Sequence, residues 1–138
     1  MRSSQRNISA LLIAILVTSC QTPSRSALSQ EELRIGSGEE LLVTQPANLR
    51  RGWEAVGGAL SITSQRLLFQ PHHFNIQKSP EEIRLADVAR VVPIDYGLIY
   101  KSKNGVLVEL RSGVRYKFVV NDRKKLVDMI RAQVERIR

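Results

Sequence analysis

The hydrophobic and polar positions change period only once along the second half of the chain. Between Gly57 and Phe69 the sequence runs Gly-Gly-Ala-Leu-Ser-Ile-Thr-Ser-Gln-Arg-Leu-Leu-Phe, in which Leu60 and Ile62 alternate with Ser61 and Thr63. Alternation of period two is the mark of a strand with one buried and one wet face, and Leu67 to Phe69 follows as a second apolar run. The stretch predicts an antiparallel hairpin turning at Ser64 and Gln65. Gly57 and Gly58 have nothing to pack, so a bend or a close approach of another backbone is expected there.

The same reading extends to both sides of the hairpin. Leu41-Leu42-Val43 predicts a first strand, Pro46 to Gly52 a loop carrying Arg50 and Arg51, and Trp53 or Val56 the start of the next strand. Pro71 to Pro80 predicts a long loop bounded by its prolines. Ile83 and Leu85 alternate with Glu82 and Arg84, and Val88, Val91, Val92 and Ile94 form an apolar strand ended by Pro93 and Asp95. Gly97 to Tyr100, Val106 to Leu110 and Val114 to Val120 predict a three-strand meander, with turns at Lys103-Asn104-Gly105 and Ser112-Gly113. Tyr116, Phe118 and Val120 share its core face with Val114. From there the period lengthens: Leu126, Val127, Ile130, Val134 and Ile137 recur at helical spacing behind Asn121 as a cap, leaving Arg131 off the apolar stripe as a neutral surface position. About seven strands and one C-terminal helix result.

Residues Glu54-Ala-Val-Gly-Gly-Ala-Leu-Ser-Ile-Thr-Ser-Gln-Arg-Leu-Leu-Phe69 resemble the central signature of GRAM domains. Glu82-Ile-Arg-Leu-Ala-Asp-Val88 with Val91 resembles that family's next strand pair, and Tyr116-Lys-Phe-Val-Val120 before a terminal helix resembles its end. The resemblance covers about residues 39 to 137 and implies a mostly β, pleckstrin-homology-like antiparallel barrel or sandwich. It also implies a binding module for lipids or proteins rather than one chemistry. Pleckstrin-homology domains resembling this one use basic residues of the first inter-strand loop for anionic headgroups, which points to Arg50 and Arg51, although the fuller basic motif is missing.

The N-terminal third has another character. Arg2 and Arg6 precede the uncharged run Ile8 to Val17, too short to span a hydrocarbon core of ~30 Å as a helix. A basic start with a short apolar core reads as a secretory signal over residues 1–19. Val17-Thr18-Ser19-Cys20 resembles the bacterial lipobox, so Cys20, the only cysteine, is expected to become the acylated, palmitate-bearing N-terminus. One acyl chain holds a protein marginally, whereas several hold it stably, each buried methylene contributing ~0.8 kcal/mol. Gln21 after the cysteine points to the outer membrane, facing the periplasm, in a diderm host. Residues 20–38, rich in serine and glutamine with Pro23 and Gly36-Ser37-Gly38, read as a tether of about 25 Å flexible span, with Ser29 to Ile35 as an optional short helix. Residues 39–138 read as one domain.

Composition narrows the chemistry. With the only thiol acylated, no disulfide is expected. His72 and His73 are the sole histidines and are adjacent, so no metal site, cofactor or nucleophilic catalysis is expected, and the chain reads as a non-enzyme. Once Arg2 and Arg6 leave with the signal, 19 basic side chains face 13 acidic ones. Export excludes nucleic acid and leaves anionic lipid or an envelope protein as partner, with simple solvation of a basic surface as the plain alternative. Phe74 and Ile76 stand among polar residues of the long loop. Either they fold back to plug the open end of the sheet, or they form a wedge against bilayer or partner, with His73, Lys78, Arg50 and Arg51 facing acidic groups around it. The function read from the sequence is thus a membrane-tethered lipoprotein with a non-catalytic binding domain, the alternative being an assembly lipoprotein whose domain binds no lipid.

Overall fold

The computed structural model describes residues 34–72, 75–76, 79–96 and 102–138. Cys20, the signal, residues 20–33 of the tether, His73, Phe74, Lys78 and the strand expected over 97–100 lie outside these residues. Seven strands form one antiparallel sheet: β1 (Leu41–Arg51), β2 (Glu54–Thr63), β3 (Arg66–Pro71), β4 (Glu81–Arg84), β5 (Val88–Tyr96), β6 (Ser102–Leu110) and β7 (Arg115–Val120). The spatial order is β4-β3-β2-β1-β7-β6-β5, so β4 and β5 are the margins. A helix, α1 (Arg123–Ile137), closes the chain and packs on β5, β6 and the short 3-10 turn Leu85–Asp87 that follows β4. It covers the gap that the two margins leave.

The expected hairpin forms where the alternation placed it, with Ser64 and Gln65 between β2 and β3. Its outward face differs from the expectation: Ser61 and Thr63 are fully buried. Their hydroxyls tolerate this because each is bonded. Ser61 shares a hydrogen bond of 2.8 Å with Thr44, while Thr63 accepts from the main-chain N–H groups of Gln65 and Arg66 and donates to Glu39. Gly58 is required by clearance. A Cβ there would lie 2.4 Å from the Gln70 carbonyl oxygen and 2.7 Å from Cζ of Phe69.

Two halves meet at a narrow seam. β1 runs beside β2 along its whole length but pairs with β7 only over Ala47–Leu49. Inside, Phe69 of β3 meets Phe118 of β7 with ring centroids 6.0 Å apart and planes tilted by 56°, an aromatic contact that ties the halves together. Leu126, Val127, Ile130 and Val134 of α1 complete the core, while Ile137 emerges into solvent. The helix cap is Asp122, whose side chain accepts from the Lys125 N–H at 3.0 Å, rather than Asn121.

Three turn or loop expectations are overturned by strand pairing. Pro46 to Arg51 is not a loop but part of β1. Pro46 is tolerated because β7 begins to pair only at Ala47, which leaves that side of β1 without a ladder. Pro93 does not end β5 but lies within it, on a margin of the sheet, where a missing N–H is harmless. Lys103-Asn104-Gly105 is no turn: Gly105 sits within β6 opposite Ile94, and a Cβ there would lie 2.7 Å from the Ile94 carbonyl oxygen. The Ser112-Gly113 turn does form, with Gly113 at φ 88°.

The segment ahead of β1 is clamped to the hairpin turn. Glu39, its side chain only 3% exposed, receives Arg66 Nε and Nη2 at distances between 2.7 and 3.1 Å. Arg66 also bonds Glu82 at 2.9 Å, and Glu40 exchanges hydrogen bonds with Ser64. The Arg66 guanidinium holds the Glu39 carboxyl down to about 2, against the opposing effect of burial.

Two measurements check this architecture. Ile130→Ala should destabilise by ~2–5 kcal/mol, and Gly58→Ala by ~1–3 kcal/mol through overpacking against β3; thermal melts matching wild type would contradict the packing described. Because the folded-state pKa of Glu39 is depressed, the clamp contributes its full stability above the ordinary value of 4.5 and loses it as pH falls toward 2. Wild type should therefore lose more melting temperature between pH 5 and about pH 2 than Glu39→Gln does, and parallel losses would count against the clamp.

Candidate functional site

One end of the sheet carries Arg50, Arg51 and Ile76, which the sequence singled out, and Trp53, which it did not. Arg51 and Glu54 pair across the ends of β1 and β2, so Gly52 and Trp53 make a two-residue connection, with Gly52 at φ 60°. A tight hairpin turn demands positive φ at its first central position, and glycine adopts it without strain. The turn leaves the next side chain no surface to lie on. Trp53 is 82% exposed.

The neighbouring loop is pinned to this end through Asn75. Its side-chain amide donates to the carbonyls of Gly57 at 2.6 Å and His72 at 2.9 Å, and its Oδ1 accepts from the Gly57 N–H at 3.2 Å. His72 N–H adds a bond to the same Gly57 carbonyl at 2.9 Å. The main-chain N–H of Ile76 then donates to the Glu54 carboxylate at 3.3 Å, directly beside Trp53. Ile76 is 81% exposed, so it does not plug the sheet. Two large apolar side chains thus project from one end, each on a backbone held by its neighbours.

The expected basic partners divide. Arg51 is not open to an incoming anion: Nη2 donates to Glu81 at 2.8 Å and to the Ser79 carbonyl at 2.6 Å, and its side chain is only 14% exposed. The pair ties the β1–β2 end to the start of β4. Nearby, Tyr116 is half-buried, and burial, with Glu81 assisting, pushes its hydroxyl above the usual tyrosine range. Arg50 is half-buried next to Arg51 on β1. His73, Phe74 and Lys78, which the sequence reading joined to them, lie outside the described residues, and Trp53 was read only as a strand start. The signal that would have found it is Gly-Trp at a hairpin connection, where glycine serves the turn and the next residue is displayed.

A hollow of about 640 Å³ lies over β3 and β4 between Arg34, Arg66, Leu68, Gln70, Glu81 and Glu82, where Arg66 is matched by Glu39 and Glu82, and Glu81 by Arg51. Among the described residues no cluster of three or more metal-ligating side chains occurs, and no helix is long and apolar enough to cross a membrane. The basic start of α1 is engaged locally, Arg123 with Asp95 at 3.0 Å and Lys124 with Asp128 at 2.7 Å.

No protein-family model matches the chain, and no curated protein matches it. Solved structures do. The Vps36 N-terminal PH domain is 19% identical, with a TM-score of 0.59 over 75% of this chain and 84% of that one. The C-terminal domain of an unknown protein from Leishmania infantum is 18% identical, with a TM-score of 0.60 over 76% of this chain and 90% of that one. The linker-DH/PH domains of p115-RhoGEF are 15% identical, with a TM-score of 0.60 over 86% of this chain and 35% of that one. At these identities the likeness shows a fold: the chain is a seven-stranded antiparallel sheet with a C-terminal helix, of the pleckstrin-homology-like kind.

Proposed function

We propose that this chain is a membrane-tethered bacterial lipoprotein whose pleckstrin-homology-like domain is a non-catalytic binding module. The observation that carries the reading is the joint exposure of Trp53 and Ile76, at 82% and 81%, on one pinned end of the sheet. Large apolar side chains seldom stand so far out in pairs unless something covers them, and tryptophan suits a surface that is apolar on one side and wet on the other. The tether reading rests on the short apolar run before Val17-Thr18-Ser19-Cys20. The ligand favoured is an anionic lipid headgroup, because the domain is basic and tryptophan partitions to bilayer interfaces.

A second reading, a protein partner in the envelope, draws on one further observation. The chain enters the domain at residues 36–40, which bond to Ser64 and Gln65 at the far end of β2 from Trp53. At ~3.3 Å per residue the two ends of β2 are separated by roughly 30 Å of strand. A domain hanging from its tether would then turn Trp53 and Ile76 away from the anchoring bilayer.

Metabolic labelling with an alkyne fatty acid should mark the wild-type chain and not Cys20→Ser; equal labelling of both would end the tether reading. Trp53→Ala with Ile76→Ala should leave stability within ~0.5 kcal/mol of wild type. The same pair should weaken flotation with anionic liposomes by about tenfold, or ~1.4 kcal/mol. Unchanged flotation with loss of a co-purifying envelope protein would transfer the site to the second reading, and a double variant unaltered in both would remove the site.

A further inference from the structure

β5, β6 and β7 each contain an unbroken apolar run: Val91 to Ile94, Val106 to Val108 and Phe118 to Val120. A strand with one covered face alternates apolar with polar residues, whereas an unbroken run is the mark of a strand covered on both faces. The inner members of these runs are accounted for. Val91, Val106, Val108, Phe118 and Val120 lie in the core, which α1 closes by packing on β5 and β6. Arg131, read from the sequence as a neutral surface position, is engaged in that packing, donating to the Val91 carbonyl at 2.7 Å. The outer members have no such cover. Val92, Ile94, Leu107 and Val119 alternate with the core residues and stand half-buried on the open face of the sheet.

The register sets them on a lattice. Val92 lies opposite Leu107, and Leu107 opposite Lys117; Ile94 lies opposite Gly105, and Gly105 opposite Val119. The adjoining row on the same face is Arg90, Glu109 and Arg115, in which one carboxylate serves two guanidiniums. Lys103, exposed, follows Gly105 on the same side of β6. Four aliphatic side chains thus form a strip rimmed by cations. A hollow of about 220 Å³ adjoins the strip at Val119 and Asn48.

We propose that this outer face of β5, β6 and β7 docks an acidic segment of a partner protein, one that interleaves carboxylates with aliphatic side chains. The rim selects the partner's charge. A second copy of the chain would set one basic rim against another, and like charges brought together oppose association. The strip selects a protein over a bilayer, because its side chains lie in the pleat of the sheet and none is as open as Trp53 or Ile76. Such a surface does not insert among acyl chains; a partner's side chains must come down to it. An apolar centre inside a polar rim is the ordinary anatomy of a protein contact. The face uses neither Trp53 nor Ile76, so it is additional to the site at the end of the sheet.

The test titrates the purified full chain, held in phosphatidylcholine nanodiscs, against a fluorescent peptide alternating glutamate and valine. Anisotropy is the readout and empty nanodiscs are the blank. Saturable binding is expected for this peptide and none for its counterpart alternating glutamate and serine. Lys103→Glu with Lys117→Glu, at two exposed positions, should weaken binding at least tenfold while keeping the wild-type melting temperature. Leu107→Ser should weaken it as much through the strip, and should that variant fail to fold, Val119→Thr, which keeps the side-chain shape, should weaken it severalfold. Trp53→Ala with Ile76→Ala should leave binding unchanged, which separates this face from the site at the sheet end. Absence of binding, equal binding of the serine peptide, loss with the Trp53 pair, or lysine variants that bind as wild type would overturn the proposal. So would capture of phosphatidylglycerol vesicles by these lysines in place of the peptide, on the Trp53→Ala, Ile76→Ala background, or dimerisation of wild type through this face.

Discussion

The contact between Phe69 and Phe118 is the constraint around which the domain is arranged. Strands β4 to β1 and strands β7 to β5 share only a three-residue ladder, too short to hold two half-sheets in one orientation by hydrogen bonds alone. The ring of Phe69 reaches across because Gly58 has no side chain to block it. Replacing clearance with a methyl group would press β2 against both the ring and the backbone of β3. The helix then has a defined cleft to fill, and its four buried apolar side chains occupy the space between margins that do not pair with each other.

Arginine carries much of the remaining architecture. Arg66 clamps the segment ahead of β1, Arg51 joins the β1–β2 end to β4, and Arg123 and Arg131 bond the carbonyls of β5. A basic composition thus has an internal use here before any partner is considered. Each of these guanidiniums meets a carboxylate or a carbonyl within hydrogen-bonding distance, which makes it a tie between elements rather than an open anion site. The consequence for binding is specific. What the Trp53 end displays most openly is apolar surface, not charge.

That end is likewise tied by hydrogen bonds. Asn75 closes its own loop onto Gly57, and Glu54 holds the Ile76 backbone, so both exposed side chains project from anchored main chain. Anchoring lowers the ordering entropy that a contact surface would otherwise lose on binding. A glycine turn, an asparagine amide and one carboxylate are sufficient to build it.

Period alone determined the central hairpin and the C-terminal helix. Alternation at Leu60 to Thr63 marked the hairpin, and the three- and four-residue spacing from Leu126 to Val134 marked the helix, because side-chain direction along a strand or helix follows from local geometry. The GRAM-like residues gave the same fold by resemblance. What the sequence left undecided was the meaning of glycine and proline, since each satisfies more than one demand. Gly105 follows Asn104, the usual sign of a tight turn, yet its small size serves the close approach of Ile94, a residue eleven positions earlier. Pro46 and Pro93 looked like strand ends, and only the absence of a neighbouring ladder makes them strand interiors. Likewise, Arg51 as a string of residues was a cation near a turn, and Trp53 the beginning of a strand. Whether a guanidinium meets Glu81, or an indole stands exposed, depends on which strands lie side by side, and that is a property of the tertiary structure alone.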